Sequence, residues 1–147
     1  MEYLRIMILS MVPITELRGA IPIGIALDLH PVGVYIASVL GSTIVSIPLI
    51  LTFRHILYFF KSKQLFSGLV KKIDNKINSG MKKIKNVSVI GIILFVGIPL
   101  PTTGTWTAAA IASILKIRIK NALFGILIGN MMAGIIVSAI SLHLIEI

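Results

Sequence analysis

Apolar residues run along the chain in segments of two lengths, separated by short polar breaks. Segments 32–53 and 121–145 are long enough to cross a bilayer as helices, since a transmembrane helix needs about 20 apolar residues. The shorter apolar segments come in two pairs, 3–12 with 20–27 and 87–100 with 108–115. Each short pair encloses a turn with proline and glycine, so the pattern predicts two re-entrant helical hairpins, each followed by a transmembrane helix.

The order of these segments is the same in both halves of the chain. Pro13 falls on Pro101 and Gly41 on Gly129 at one offset of 88 residues. Three further matches keep that offset: Ala20 with Ala108, Ile23 with Ile111, and Leu27 with Leu115. Broken apolar segments in corresponding positions of two halves are typical of transporters built from inverted repeats. We therefore predict a single membrane domain, 1–147, with a first repeat at 1–60 and a second at 87–147.

Between the repeats, residues 61–86 are polar and contain eight lysines and one aspartate. Apolar residues recur there every three or four positions, which predicts an amphipathic helix lying on the membrane surface. The apolar positions are Leu65, Leu69, Ile73, Ile77, Met81 and Ile84. A solvated charged linker is the alternative. Because basic segments favour the cytoplasmic side, this linker and the basic stop 116–120 are expected there. Both flanks of 87–115 then share one side, and both termini are expected outside the cell.

The strongest candidate chemistry lies at 13–22, where Glu16 and Arg18 interrupt apolar sequence. Ionisable residues at membrane depth usually pair or face a cavity, and often mark a substrate or proton path. Pro13 and Pro22 are predicted to break the hairpin on either side, and Gly19 tolerates unusual backbone angles. Two alternatives to a functional site stay open. In one, the stretch is a polar loop at the membrane surface. In the other, the two charges form a permanent buried ion pair.

The corresponding turn of the second half, 99–107, is polar but uncharged. Pro99 and Pro101 are predicted to end the preceding helix. The candidate site residues that follow are Thr102, Thr103, Gly104, Thr105, Trp106 and Thr107. If the two hairpins enter from opposite faces, Glu16 to Gly19 should meet Thr102 to Thr107 near the middle of the membrane.

Composition excludes several other classes of protein. With 56% hydrophobic residues and a mean hydropathy of +1.01, the chain is too apolar for an ordinary soluble domain. The net charge of +9 is concentrated beside the apolar segments. The lysine runs lack the aromatic or base-reading groups of a nucleic-acid site, so nucleic acid is not an expected partner. There is no cysteine, no metal-binding pattern and no cofactor motif. An enzyme is not expected, because the possible bases His30, His55 and His143 lie near predicted membrane edges.

The two turn motifs, Pro13 to Pro22 and Pro99 to Thr107, resemble the small multidrug export family, which is related to the DedA or VTT-domain membrane proteins. The family more often has Pro-Gly-Thr-Gly-Ala-Trp-Thr-Gly where this chain has Pro101 to Ala108. The resemblance covers nearly the whole chain. It implies two facing re-entrant loops, a loop carboxylate and arginine needed for transport, and relatives that move lipids such as polyprenyl phosphates.

The expected function is transport through the cell membrane, coupled to protons. Arg18 would grip an anionic lipid phosphate or small molecule, because guanidinium forms two parallel hydrogen bonds with phosphate. Glu16 would carry the proton, since burial and Arg18 act on its pKa in opposite directions. A homodimer is expected, because two spans and two hairpins offer little bulk to enclose a path. The alternatives are a non-transporting structural or assembly protein and an intramembrane lipid-phosphate enzyme.

Overall fold

The computed structural model describes residues 1–62 and 89–146, together with positions 68, 71, 72 and 75. Every regular element among the described residues is helical, as the apolar pattern predicts. The predicted amphipathic helix at 61–86 falls almost wholly outside the described residues. The helices lie in the predicted order in both halves of the chain. They are α1 (Glu2–Met11), α2 (Glu16–Ala26), α3 (Pro31–Ser62), α4 (89–97), α5 (Thr105–Ile114) and α6 (Ile119–Ile145).

Among the described residues, two helices are long and apolar enough to cross a membrane. They are the part of α3 from Pro31 to Phe60 and the whole of α6. In α3 the helix continues beyond the predicted end at residue 53, through Arg54 and His55. The Arg54 guanidinium donates a hydrogen bond to the carbonyl oxygen of Ile117, which ties the far end of α3 to the loop before α6. The two long predicted helices are confirmed, and by length and composition each is a candidate to span a membrane.

α2 and α5 end with the same backbone geometry. The second residue after each helix has a positive φ, 57° at Asp28 and 54° at Lys116, which is a common way to close a helix. The backbone hydrogen bonds around these residues also correspond. They run from Leu29 N–H to Gly24 C=O (3.2 Å) and from Ile117 N–H to Ala112 C=O (3.0 Å). Each partner in the second bond lies 88 residues after its equivalent, so the backbone follows the offset found in the sequence.

The core consists of two apolar clusters, one in each half of the bundle. The first joins α1, α2, α3 and α6 and includes Ile6, Leu17, Ile21, Val34 and Val137. The second joins α3, α4, α5 and α6 and includes Ile50, Val96, Ala108, Ala112 and Ile126. The outer surface is apolar as well, with Ile36, Leu51, Phe124 and Ile135 among the exposed side chains. Such a surface suits contact with lipid hydrocarbon, because side chains that face the core of a bilayer meet no water.

One predicted helix breaker is wrong. Pro13, Pro99 and Pro101 lie in the turns, but Pro22 lies inside α2. Proline lacks an N–H, so the carbonyl of Arg18 loses its helical partner, yet α2 continues because helices packed among other helices tolerate this loss. The predicted turn residues 16–19 and 105–107 are also helical, and they form the first turns of α2 and α5.

Candidate functional site

Side chains at the start of α2 link the turn between α1 and α2 to the turn between α4 and α5. We call these the first turn (12–15) and the second turn (98–104). The link between them is made by Glu16 and Arg18, at the start of α2, which reach the ends of α4 and α5. The structure therefore brings together the two stretches that the sequence predicts to meet.

The Glu16 carboxylate caps α5. Its Oε1 accepts a hydrogen bond from the backbone N–H of Trp106 at 3.3 Å. This is one of the first N–H groups of α5, which lack partners inside the helix and carry partial positive charge. The N-cap residue of α5 is Gly104, which has no side chain with which to cap the helix. A carboxylate from the other half of the chain takes that place.

The Arg18 guanidinium occupies the opposite kind of helix end. Its Nη2 donates to the carbonyl oxygens of Val96 (3.1 Å) and Ile98 (3.3 Å), and also to that of Thr103. Val96 lies in the last turn of α4 and Ile98 directly follows that helix, where backbone carbonyls carry partial negative charge and attract a cation. Each charge on α2 thus lies at the helix terminus whose partial charge it complements.

Glu16 and Arg18 also bond to each other. Arg18 Nη1 donates to Glu16 Oε2 at 3.1 Å, and their side chains are only 16% (Arg18) and 10% (Glu16) exposed. An isolated buried charge would be costly, whereas this pair is neutral and has further hydrogen bonds. One donor is left over, because the buried Arg18 Nε has no hydrogen-bond partner within the described structure.

Two backbone positions make room for the Glu16 carboxylate. Glu16 itself has φ 44°, a left-handed conformation that costs a residue with a side chain about 1–3 kcal/mol. At Gly104 a Cβ atom would overlap the Glu16 carboxyl group. The strained backbone of Glu16 and the missing side chain at Gly104 therefore both help to place this carboxylate between α5 and Arg18.

The other predicted site residues lie around this contact and mostly support the turns. The Thr103 hydroxyl donates to the Ile98 carbonyl at 2.7 Å, within the second turn. The Trp106 indole N–H donates to the Met11 carbonyl at 3.2 Å, which joins α5 to the end of α1. The Thr107 hydroxyl donates to the Thr102 carbonyl at 3.0 Å on the exposed side of the turn. Gly19 lies in α2, where a Cβ would contact the Thr15 side chain. The three hydrogen bonds hold the second turn in shape and tie α5 to the end of α1.

Sequence reasoning missed Asn130, a fully buried residue in the middle of α6. Its Oδ1 accepts from the Thr105 hydroxyl at 3.1 Å, and its Nδ2 donates to the Thr43 hydroxyl at 3.1 Å. This chain of bonds joins α5, α6 and α3, and it begins at Thr105, in the first turn of α5 that Glu16 caps. The signal was available, because an amide in the centre of an apolar span needs a partner in the bundle.

A cavity of about 480 Å³ lies beside the charged pair. Arg18 is at its edge, and its walls come mainly from α2 and α6. The apolar lining residues include Pro22, Ala26, Pro99, Val137, Ile140 and Leu144. Within the described part of the chain, no group of three histidine, cysteine, aspartate or glutamate side chains is placed to hold a metal ion. The cavity is thus an apolar space with one cation at its edge.

Comparison with known proteins gives one match. A family model described as "Putative small multi-drug export protein" matches residues 16–136. No curated protein and no solved structure matches the chain significantly. The matched region begins at Glu16 and includes Arg18, the whole second turn and most of α6.

Proposed function

Since this chain belongs to the small multi-drug export protein family, we propose that it is a membrane transporter that moves an anionic lipid of the lipid-phosphate type. The family description supports a transport role. The two apolar helices and the apolar outer surface support a place in the membrane. The substrate passes between the first and second turns, and protons drive its movement.

The proposed architecture is an inverted repeat in the cell membrane. The α1–α2 and α4–α5 pairs are re-entrant hairpins that enter from opposite faces, and α3 and α6 span the bilayer. The matching ends of α2 and α5, together with the contact between the two turns, support this arrangement. The basic segment 61–86 is then cytoplasmic and both termini are outside. We also propose that two copies associate, because one copy has few helices with which to enclose a path.

The observation that carries the proposal is the charged pair between the turns, with Arg18 at the edge of an apolar cavity. Guanidinium and the free N–H groups of a helix start are common phosphate ligands. Here the Glu16 carboxylate already occupies both. An arriving phosphate therefore competes with Glu16 for Arg18 and for the amides of α5. A proton on Glu16 neutralises the competitor, so uptake of a proton favours binding of the anion.

The same contacts also favour a second candidate, a structural membrane protein that transports nothing. The hydrogen bonds from Arg18 to the Val96 and Ile98 carbonyls are those of a permanent clamp. In that case Glu16 and Arg18 only hold the two turns together. An enzymatic role is not proposed, because the hydroxyls of Thr103 and Thr107 donate to backbone carbonyls instead of to a side-chain base.

Lipid binding tests the proposed function. Purified wild type and the Arg18→Gln variant, both confirmed folded, are placed in nanodiscs and titrated with a polyprenyl phosphate over a range of pH. We expect wild type to bind and the variant to bind at least about tenfold more weakly, because a hydrogen bond to a charged group is lost. The matched control is Arg5→Gln, since Arg5 is exposed and pairs with the nearby Glu2. Equal binding by wild type and Arg18→Gln would contradict the proposal.

A further inference from the structure

We propose that the apolar cavity beside Arg18, which forms a groove between α2 and α6, holds the hydrocarbon chain of the lipid. The anionic head of the lipid lies at Arg18. This inference rests on the proposed function and deepens it, because it assigns a separate site to the lipid tail. It also defines the substrate class more narrowly, as a lipid whose phosphate is attached to a chain that fits a groove along one helix.

The walls of the groove are one stripe from each helix. Pro22 and Ala26 are four residues apart on α2, so they lie on the same face. On α6 the lining residues Val137, Ile140 and Leu144 have the spacing of a single helical face. Ser141 also lies in this stripe, but its hydroxyl donates to the Val137 carbonyl at 2.7 Å. The groove therefore presents an apolar lining from end to end along α6.

The shape of the lining fits a chain better than a compact molecule. From Val137 to Ile145 the α6 wall rises about 12 Å, at about 1.5 Å per residue. Ile140 and Leu144 are 52% and 67% exposed, so the wall continues into the outer apolar surface of α6. A hydrocarbon chain can enter from the bilayer along this surface without crossing water.

The charge at the end of the groove favours a lipid with an anionic headgroup. Arg18 is the one charged residue that lines it among the described residues, and its side chain is 16% exposed. An anionic oxygen at this end of the groove would lie beside the guanidinium, and hydrogen bonds between two ionised groups are the strong ones. The combination of a cationic end and an apolar length is complementary to a single-chain lipid phosphate.

Cysteine labelling tests this assignment, because the natural chain contains no cysteine. Ile140→Cys places a thiol in the groove, and Ile135→Cys places one on the exposed outer side of α6 as the control. Each variant is labelled in nanodiscs by a small apolar thiol reagent, with and without polyprenyl phosphate. We expect the lipid to slow labelling of Ile140→Cys several-fold and to leave Ile135→Cys unchanged. Inorganic phosphate should protect neither position.

A second variant fills the groove. Ala26→Phe adds a ring at an exposed lining position of α2, whereas Ile23→Phe adds bulk at an exposed position that does not line it. We expect only Ala26→Phe to weaken binding of the polyprenyl phosphate, with no change for a short-chain alkyl phosphate. If the lipid binds in an Arg18-dependent way without protecting Ile140→Cys, the groove assignment is wrong and the proposed function stands. If wild type does not bind the lipid, both fail.

Discussion

Replacing Glu16 with glutamine is expected to give a folded protein that no longer transports. Glutamine can still accept the hydrogen bond from the Trp106 amide, and Arg18 keeps its bonds to the Val96 and Ile98 carbonyls. The free energy of unfolding should therefore fall by no more than about 2 kcal/mol. Transport is lost because a neutral side chain cannot exchange a proton as the phosphate arrives.

This variant separates a working site from a static clamp. If the ion pair only holds the turns together, removing one buried partner should cost about 3–5 kcal/mol and reduce the yield of folded protein. Thermal unfolding in detergent and transport in liposomes are measured on the same preparation. Glu2→Gln is the matched control, because Glu2 is exposed and pairs with Arg5 on the same helix. Extensive unfolding of Glu16→Gln would overturn its assignment as the proton carrier.

The second large effect is expected at Gly104. A Cβ atom there would overlap the Glu16 carboxyl group, so Gly104→Ala should push the carboxylate away from Arg18 and from the start of α5. Both charges stay in the protein, but the displaced carboxylate loses its hydrogen bonds to Arg18 and to the Trp106 amide, which costs about 1.5–3 kcal/mol for each bond. The residue has φ −108° and ψ −179°, which alanine adopts readily, so the effect comes from the lost space.

A double-mutant cycle identifies the cause of this effect. In a Glu16→Ala background the colliding group is absent, so adding Gly104→Ala should cost much less than it does in wild type. Gly91→Ala is the control, since no described atom lies within 4 Å of a Cβ at Gly91. Thermal unfolding of all variants in one detergent gives the comparison. An equal cost of Gly104→Ala in both backgrounds would show that the carboxylate is not what the glycine accommodates.

Much of the fold follows from the apolar pattern. Apolar segments of two lengths predict the order of the six described helices, and the two longest segments are α3 and α6. The family expected from the two turn motifs is confirmed. Glu16 and Arg18 stand out in the sequence because charges are rare in apolar segments. Their partners lie in and beside the second turn. The offset of 88 residues identifies that turn as the equivalent of the first turn.

Other features depend on three-dimensional packing and are not visible in the pattern. Pro22 lies inside α2, which continues although the Arg18 carbonyl loses its helical partner there. The capping of α5 by Glu16 joins residues 90 positions apart. The role of Asn130 depends on Thr43 and Thr105, which are supplied by two other helices. A single sequence shows that these residues are polar, but not which of them face each other.

The most direct test of the central claim is movement of a lipid phosphate across a bilayer that contains only this protein. Proteoliposomes are made with polyprenyl phosphate in both leaflets, and a phosphatase that cannot cross the membrane is added outside. The account predicts that wild type exposes the inner-leaflet lipid, so that nearly all of the phosphate is released, faster when a proton gradient is imposed. Release of the outer-leaflet lipid alone, as in liposomes without protein, would contradict it.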